Sequence, residues 1–111
     1  MTAQPLDFTG VDSLEKAQAL FRAGKLEELY LFPVEFGGQA VPQNIVYVPL
    51  GIAEIKRGMD ATIAEMVQQG AISKYVARPE YKGDSFIPSK IILETSHPDK
   101  PGAFNPTINI W

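Results

Sequence analysis

The chain contains no cysteine. That excludes a disulfide framework, a thiolate-ligated zinc site and thiol nucleophile chemistry. Long apolar runs are missing too. The longest, Ile45 to Ala53, is broken by Pro49 and Gly51 and falls well short of the ~20 residues that cross a bilayer. No basic segment followed by an apolar stretch stands at Met1, so no secretory signal is expected and the expected compartment is the cytoplasm. A glycosylation acceptor is also lacking, because Pro106 occupies the middle of Asn105-Pro106-Thr107. There is one histidine, too few for a histidine-based metal site.

An excess of positive charge is absent as well. Ten basic residues face thirteen acidic ones, a net charge of −3. Non-specific nucleic-acid binders draw most of their affinity from neutralising phosphates, so nucleic acid is not the expected partner. An acidic surface suits a basic protein partner instead. Lys56-Arg57 is the only adjacent basic pair and reads as part of a solvated helix face.

What is present describes one globular domain spanning residues 1–111. Of the 111 residues, 45% are hydrophobic and 21% charged, enough apolar material for a single core without covalent staples. Met1 to Val11 shows no period and reads as an irregular lead-in. Asp12-Ser13 offers N-cap chemistry ahead of a short helix whose Leu14, Ala17, Leu20 and Phe21 share a face, and Gly24 stops it. Leu29-Tyr30-Leu31-Phe32 predicts a strand buried on both sides, ended by Pro33. Gly37-Gly38 and Pro42 mark a loop, and Ile45 to Val48 a second strand. The helical period then runs from about Gly51 to Gln69, with Ile52, Ile55, Met59, Ile63, Met66 and Val67 on the buried face and Gly70 as its terminator. Gly58 weakens that helix and reads as a point of close backbone packing. Ala71 to Ala77, limited by Pro79, and Phe86 to Thr95 predict two more strands around the turn Tyr81 to Ser85. Pro98 to Pro106 is a loop, and Thr107 to Trp111 alternates as a closing strand. Helix, two strands, a long helix and three strands make an α+β fold: a ββα core followed by antiparallel strands.

Few residues carry chemistry. Gly37-Gly38 lies in neither a dinucleotide nor a phosphate-loop pattern, and reads as a turn rather than an anion cradle. His97, in a Pro-rich loop, is either an exposed residue or a general base paired with Asp99. No serine sits in a nucleophile elbow. Glu35 lies in the Pro/Gly loop. Glu54 and Asp60 stand six apart on the long helix, on different faces, and read as part of its solvated side. No cofactor and no metal are called for by these residues.

Taken together, Leu29 to Ser96 resembles the DNA/RNA non-specific endonucleases with a ββα-metal (His-metal finger) core, in particular the compact bacterial branch found in toxin modules. Leu31-Phe32-Pro33 followed by Phe36-Gly37-Gly38 resembles that family's strand and Gly-Gly loop. Asn44-Ile45-Val46 resembles the opening of its second strand, and Gly70 the glycine that closes its long helix. Tyr81-Lys82-Gly83-Asp84-Ser85, with Pro88 following, resembles its Tyr-x-Gly-x-Ser hairpin. The resemblance implies a water-activating His where this chain has Tyr30, whose phenol, with an ordinary pKa near 10, is a poor base at neutral pH. It also implies a Mg²⁺-holding Asn on the long helix, and no Asn occurs between Gly51 and Gln69. Asn44 is structural in the family and is no substitute.

Three expectations follow. The first is a non-catalytic, nuclease-like domain that binds a protein, possible partners including a secreted effector in bacterial toxin–immunity competition. Tyr30 and Glu35 mark its degenerate site, and Gly37, Gly38 and Asn44 its binding positions. The second is a diverged metal-dependent nuclease using Glu35 with Glu54 or Asp60, protons passing through Tyr30 or His97. The third is a structural homo-oligomer, such as a homodimer, joined through the Thr107 to Trp111 edge.

Overall fold

Ser13 starts the first helix. Its Oγ accepts the N–H of Lys16 at 3.2 Å, the N-cap bond that opens helix α1, Leu14–Arg22. The helix closes on a Schellman pair: Gly24 N–H donates to Phe21 O at 3.0 Å and Lys25 N–H to Leu20 O at 2.9 Å. Strands β1 (Leu26–Tyr30) and β2 (Ile45–Pro49), helix α2 (Ile52–Gln68) and strands β3 (Lys74–Tyr81), β4 (Pro88–Ser96) and β5 (Thr107–Asn109) follow. This computed structural model describes residues 7–100 and 104–111. Residues 7–11 form neither helix nor strand; the rest of the expected lead-in, and residues 101–103 of the expected loop, lie outside the described residues.

The order is the α+β one expected. β1 and β2 form an antiparallel pair, and β3, β4 and β5 an antiparallel sheet with β4 in the middle. The β1–β2 hairpin is the middle layer. Leu26 and Tyr47 face α1 and join Ala17 and Ile87 in one apolar cluster. Leu29, Val46 and Val48 face the other way and join Ile63 of α2 with Ile91, Leu93 and Ile108 of the second sheet. β2 is the strand buried on both faces, with Val46, Tyr47 and Val48 all buried, although the sequence pattern predicts that burial for Leu29–Phe32. The Leu29–Phe32 segment does not show it. β1 starts earlier, at Leu26, exposes Glu28, and ends before Phe32.

Glu27, in this earlier part of β1, serves the long helix. Its Oε2 accepts the backbone N–H of Gly51 at 2.7 Å and of Ala53 at 3.3 Å, capping α2, whose own N-cap Gly51 has no side chain to offer. The α2 terminus repeats the Schellman pair at Gly70 and Ala71, which donate to Val67 O and Met66 O.

Several expected positions are displaced. On α2 the buried stripe passes through Lys56 and Ile63, while Ile55 and Val67 are 49% and 42% exposed. On α1 only Ala17 is fully buried and Leu14 stands largely in solvent. β3 runs through Pro79 rather than stopping before it. It is an edge strand, so the missing N–H breaks no ladder on its free side, and a register shift follows between Glu80 and Tyr81. β4 opens at Pro88 rather than Phe86, and β5 closes at Asn109, after which the Ile110 and Trp111 N–H groups both donate to Ser89 O. No described helix is long and apolar enough to cross a membrane.

Gly58 does not serve close packing either. A β-carbon built there meets nothing within 4 Å. Gly58→Ala therefore raises the unfolding free energy by about 1 kcal/mol, the difference in helix propensity, as read from urea denaturation.

Candidate functional site

The loop between β1 and β2 decides where a site can form. Asn44 closes its neck. The Asn44 Oδ1 accepts the Phe32 N–H at 2.7 Å, and Nδ2 donates to Phe32 O at 2.9 Å and to Gln39 O at 3.1 Å. Between these points the chain makes a 3-10 turn, Val34–Phe36, and enters Gly37 with φ +96°. Gly38 is required for a different reason: a β-carbon there would lie 1.9 Å from Phe32 O. The amides of Gly37 and Gly38 donate to Val34 O and Pro33 O, both at 2.9 Å, so neither points outward as an anion donor.

Aromatic contacts fix this loop to the second sheet. Phe32, Phe36 and Tyr75 of β3 form a triangle with ring centroids 5.9–6.1 Å apart. Tyr75 carries the connection inward. Its hydroxyl donates to Asp60 Oδ1 at 2.6 Å, and Lys56 Nζ donates to Asp60 Oδ2 at 2.8 Å and Oδ1 at 3.1 Å. The Lys56 side chain is 2% exposed and that of Asp60 12%. The Lys56 ammonium also lies 5.6 Å from the Tyr75 ring centroid, within cation–π reach. The solvated helix face expected for Lys56 and Asp60 is thus a buried ion pair. Lys and Asp at i and i+4 on one helix meet readily, and the facing tyrosine supplies the third hydrogen bond that burial demands.

Beside this pair a cleft of about 200 Å³ opens between the end of β1, the start of the loop and α2, walled in part by Glu28, Tyr30, Glu35, Lys56, Arg57 and Asp60. A neighbouring hollow of about 230 Å³ shares Glu35, Arg57 and Asp60. Of the residues singled out in the sequence, Tyr30, Glu35 and Asp60 therefore converge. Glu54 is exposed on the first turn of α2 and lines neither space. His97 follows β4, and its Nδ1 accepts the Asp99 backbone N–H at 3.0 Å, so the bond joining these two residues is a turn contact rather than a carboxylate–imidazole pair. The pattern missed Lys56, Arg57 and Tyr75. The signal available was a lysine interrupting the apolar stripe of α2 four residues before an aspartate.

Electrostatics follow from burial. Desolvation pushes the Lys56 ammonium below the ordinary lysine value, opposed by its hydrogen bond to Asp60 and by the charges of Asp60 and Glu35. Burial pushes the Tyr75 phenol well above its ordinary value, reinforced by the Asp60 acceptor and its charge. The Mg²⁺ that the resemblance implies does not fit this donor set. Both Asp60 oxygens are engaged, Lys56 and Arg57 add two positive charges to the walls, and no three His, Cys, Asp or Glu side chains group to hold a metal among the described residues.

Set against known proteins, the chain matches no family model, no curated protein and no solved structure. The likeness to ββα-metal nucleases thus rests on the sequence motifs alone.

Two outcomes test the network. Lys56→Met strands a buried carboxylate and costs about 3–5 kcal/mol in urea unfolding, whereas Lys56→Met with Asp60→Leu recovers most of that loss. Tyr75 gives a pH signature. Its raised folded value means that its contribution is complete below the unfolded value near pH 10 and falls by about 1.4 kcal/mol per pH unit above it. Lys56 has the opposite sign, its depressed folded value giving stability that rises with pH up to about 10.5, the unfolded value. Tyr75→Phe is therefore less stable than wild type at neutral pH, and the gap narrows above about pH 10 in unfolding curves taken across that range.

Proposed function

We propose that the chain is a non-catalytic, nuclease-like domain that acts by binding another protein, in a bacterial toxin–immunity setting. The observation that carries this reading is the engagement of both Asp60 oxygens. In the cleft that gathers Tyr30, Glu35 and Asp60, the carboxylate best placed on the helix is already bonded to Lys56 and Tyr75. An ammonium beside it takes up the negative charge that a divalent ion would otherwise neutralise, and Tyr30 stands where the resembled family has its base. Splitting a phosphodiester needs both an activated water and a cation on the developing charge. The order β1–β2–α2, with only two residues between β2 and the long helix, agrees with the ββα arrangement that the motifs suggest.

Binding, by contrast, needs accessible apolar groups on a rigid frame. Val34, Leu50 and Ile55 are 62%, 63% and 49% exposed, and the net charge of −3 favours a basic partner. A second reading, self-association, is favoured by one contrast. The outer edge of β3 is blunted by Pro79 and a register shift, whereas β5 carries neither device.

Purified protein incubated with plasmid and RNA in Mg²⁺ or Mn²⁺ gives no cleavage above a Glu35→Ala control. A pull-down from the native host recovers one specific protein. Cleavage above the control, or recovery of unrelated abundant proteins alone, overturns the proposal. Light scattering separates the second reading, which requires a dimer that a charged residue in place of Ile108's neighbour Thr107 disrupts.

A further inference from the structure

A second concavity lies far along the chain from the residues of the cleft, at the turn between β3 and β4. It is a groove of about 630 Å³ lined by Asp12, Tyr81, Gly83, Asp84, Ser85 and Phe86. Its backbone is tied down from several sides. Ser85 Oγ donates to Phe8 O at 2.8 Å, Phe86 N–H to Val11 O at 2.7 Å, and Trp111 Nε1 to Ile87 O at 3.0 Å. Yet Tyr81 and Phe86 on this fixed frame remain half-exposed, each at 46%. Rigid, exposed aromatic groups bind at low entropic cost, and their ring faces carry negative potential.

The two charged residues that line the groove, Asp12 and Asp84, are both acidic. Asp84 makes no ion pair with another described residue. Asp12 pairs with Lys16 at 2.7 Å, with side chains 51% and 59% exposed, a surface contact that an incoming cation can share. The nearest cation in sequence, Lys82, is withdrawn from the groove and sits 4.9 Å from the Trp111 ring centroid. Two aromatic residues and the Asp84 carboxylate, which no described lysine or arginine neutralises, thus border the space, with Asp12 at its rim held by Lys16.

Resting on the protein-binding reading above, we infer that this groove receives an arginine-bearing segment of the partner protein. A planar guanidinium stacks on Tyr81 or Phe86 while its N–H groups meet the Asp84 carboxylate, a combination that lysine, a compact point charge, satisfies less well. The negative net charge brings such a segment in.

The test uses the ¹⁵N-labelled full chain and a short Gly-Arg-Gly-Arg-Gly peptide with blocked ends, followed by amide shifts at millimolar peptide. Saturable shifts are expected at Gly83, Asp84 and Phe86. Asp84→Asn, an exposed change that leaves the fold intact, weakens binding about tenfold. Phe86→Ala weakens it about threefold or more. The same peptide with citrulline for arginine, equal in shape and uncharged, does not bind. Equal binding of the citrulline peptide, indifference to Asp84→Asn, or shifts absent from the groove overturns the assignment. Such a failure leaves the wider reading standing if the host partner contacts another face. Conversely, arginine binding by a chain that also cleaves nucleic acid sinks the wider reading and keeps the groove.

Discussion

The Lys56–Asp60–Tyr75 bond set is the constraint on which the rest of the structure turns. It joins three parts that have no backbone hydrogen bonds in common: the long helix, the second sheet and, through Phe32 and Phe36 around Tyr75, the loop between β1 and β2. Dispersion alone would hold these layers with little directional preference. A buried charge pair with a single good arrangement also specifies the rotation of α2 about its axis. Burying Lys56 requires Asp60 beneath Tyr75, and that turns Ile55 and Val67 outward and brings Met59, Ile63 and Met66 toward the core. The same bonds engage the Lys56 and Asp60 groups on the helix wall of the cleft, so what fixes the architecture also sets its chemistry.

A second long-range tie reinforces the first. Glu27 reaches from β1 to the start of α2 and completes a helix terminus whose own cap position is a glycine. The hairpin therefore governs both ends of the relation between sheet and helix: register through Leu29 and Val46 in the core, and helix start through a carboxylate. Burial on both faces of β2 makes the hairpin a middle layer, with α1 on one side and α2 with the second sheet on the other.

Much of this was legible in the sequence. Local signals have local causes: the Ser13 cap, the glycines that end both helices, the unbroken Ile45 to Val48 run and the order of elements all depend on neighbouring residues. What escaped depended on partners distant in the chain. Nothing near Lys56 announces that Tyr75 will stand opposite, and Glu27 lies twenty-four positions from the amide it bonds. Pro79 was a local stop signal overridden by topology, since an edge strand tolerates the missing donor. At the candidate site, Tyr30, Glu35 and Asp60 were named and do converge, whereas Glu54 and His97 do not. Asp60's bonding partners decide its role, and those are tertiary facts.

One residue of the closing segment has a practical use. Trp111 is the only indole in the chain, and it packs against both apolar clusters, edge-on to Phe8 and beneath the Lys82 ammonium. Its emission therefore comes from the seam at which the two halves of the interior meet, with no competing fluorophore of its kind. A shift in its emission wavelength reports that seam parting. The molecule thus carries its own optical gauge, readable without any label.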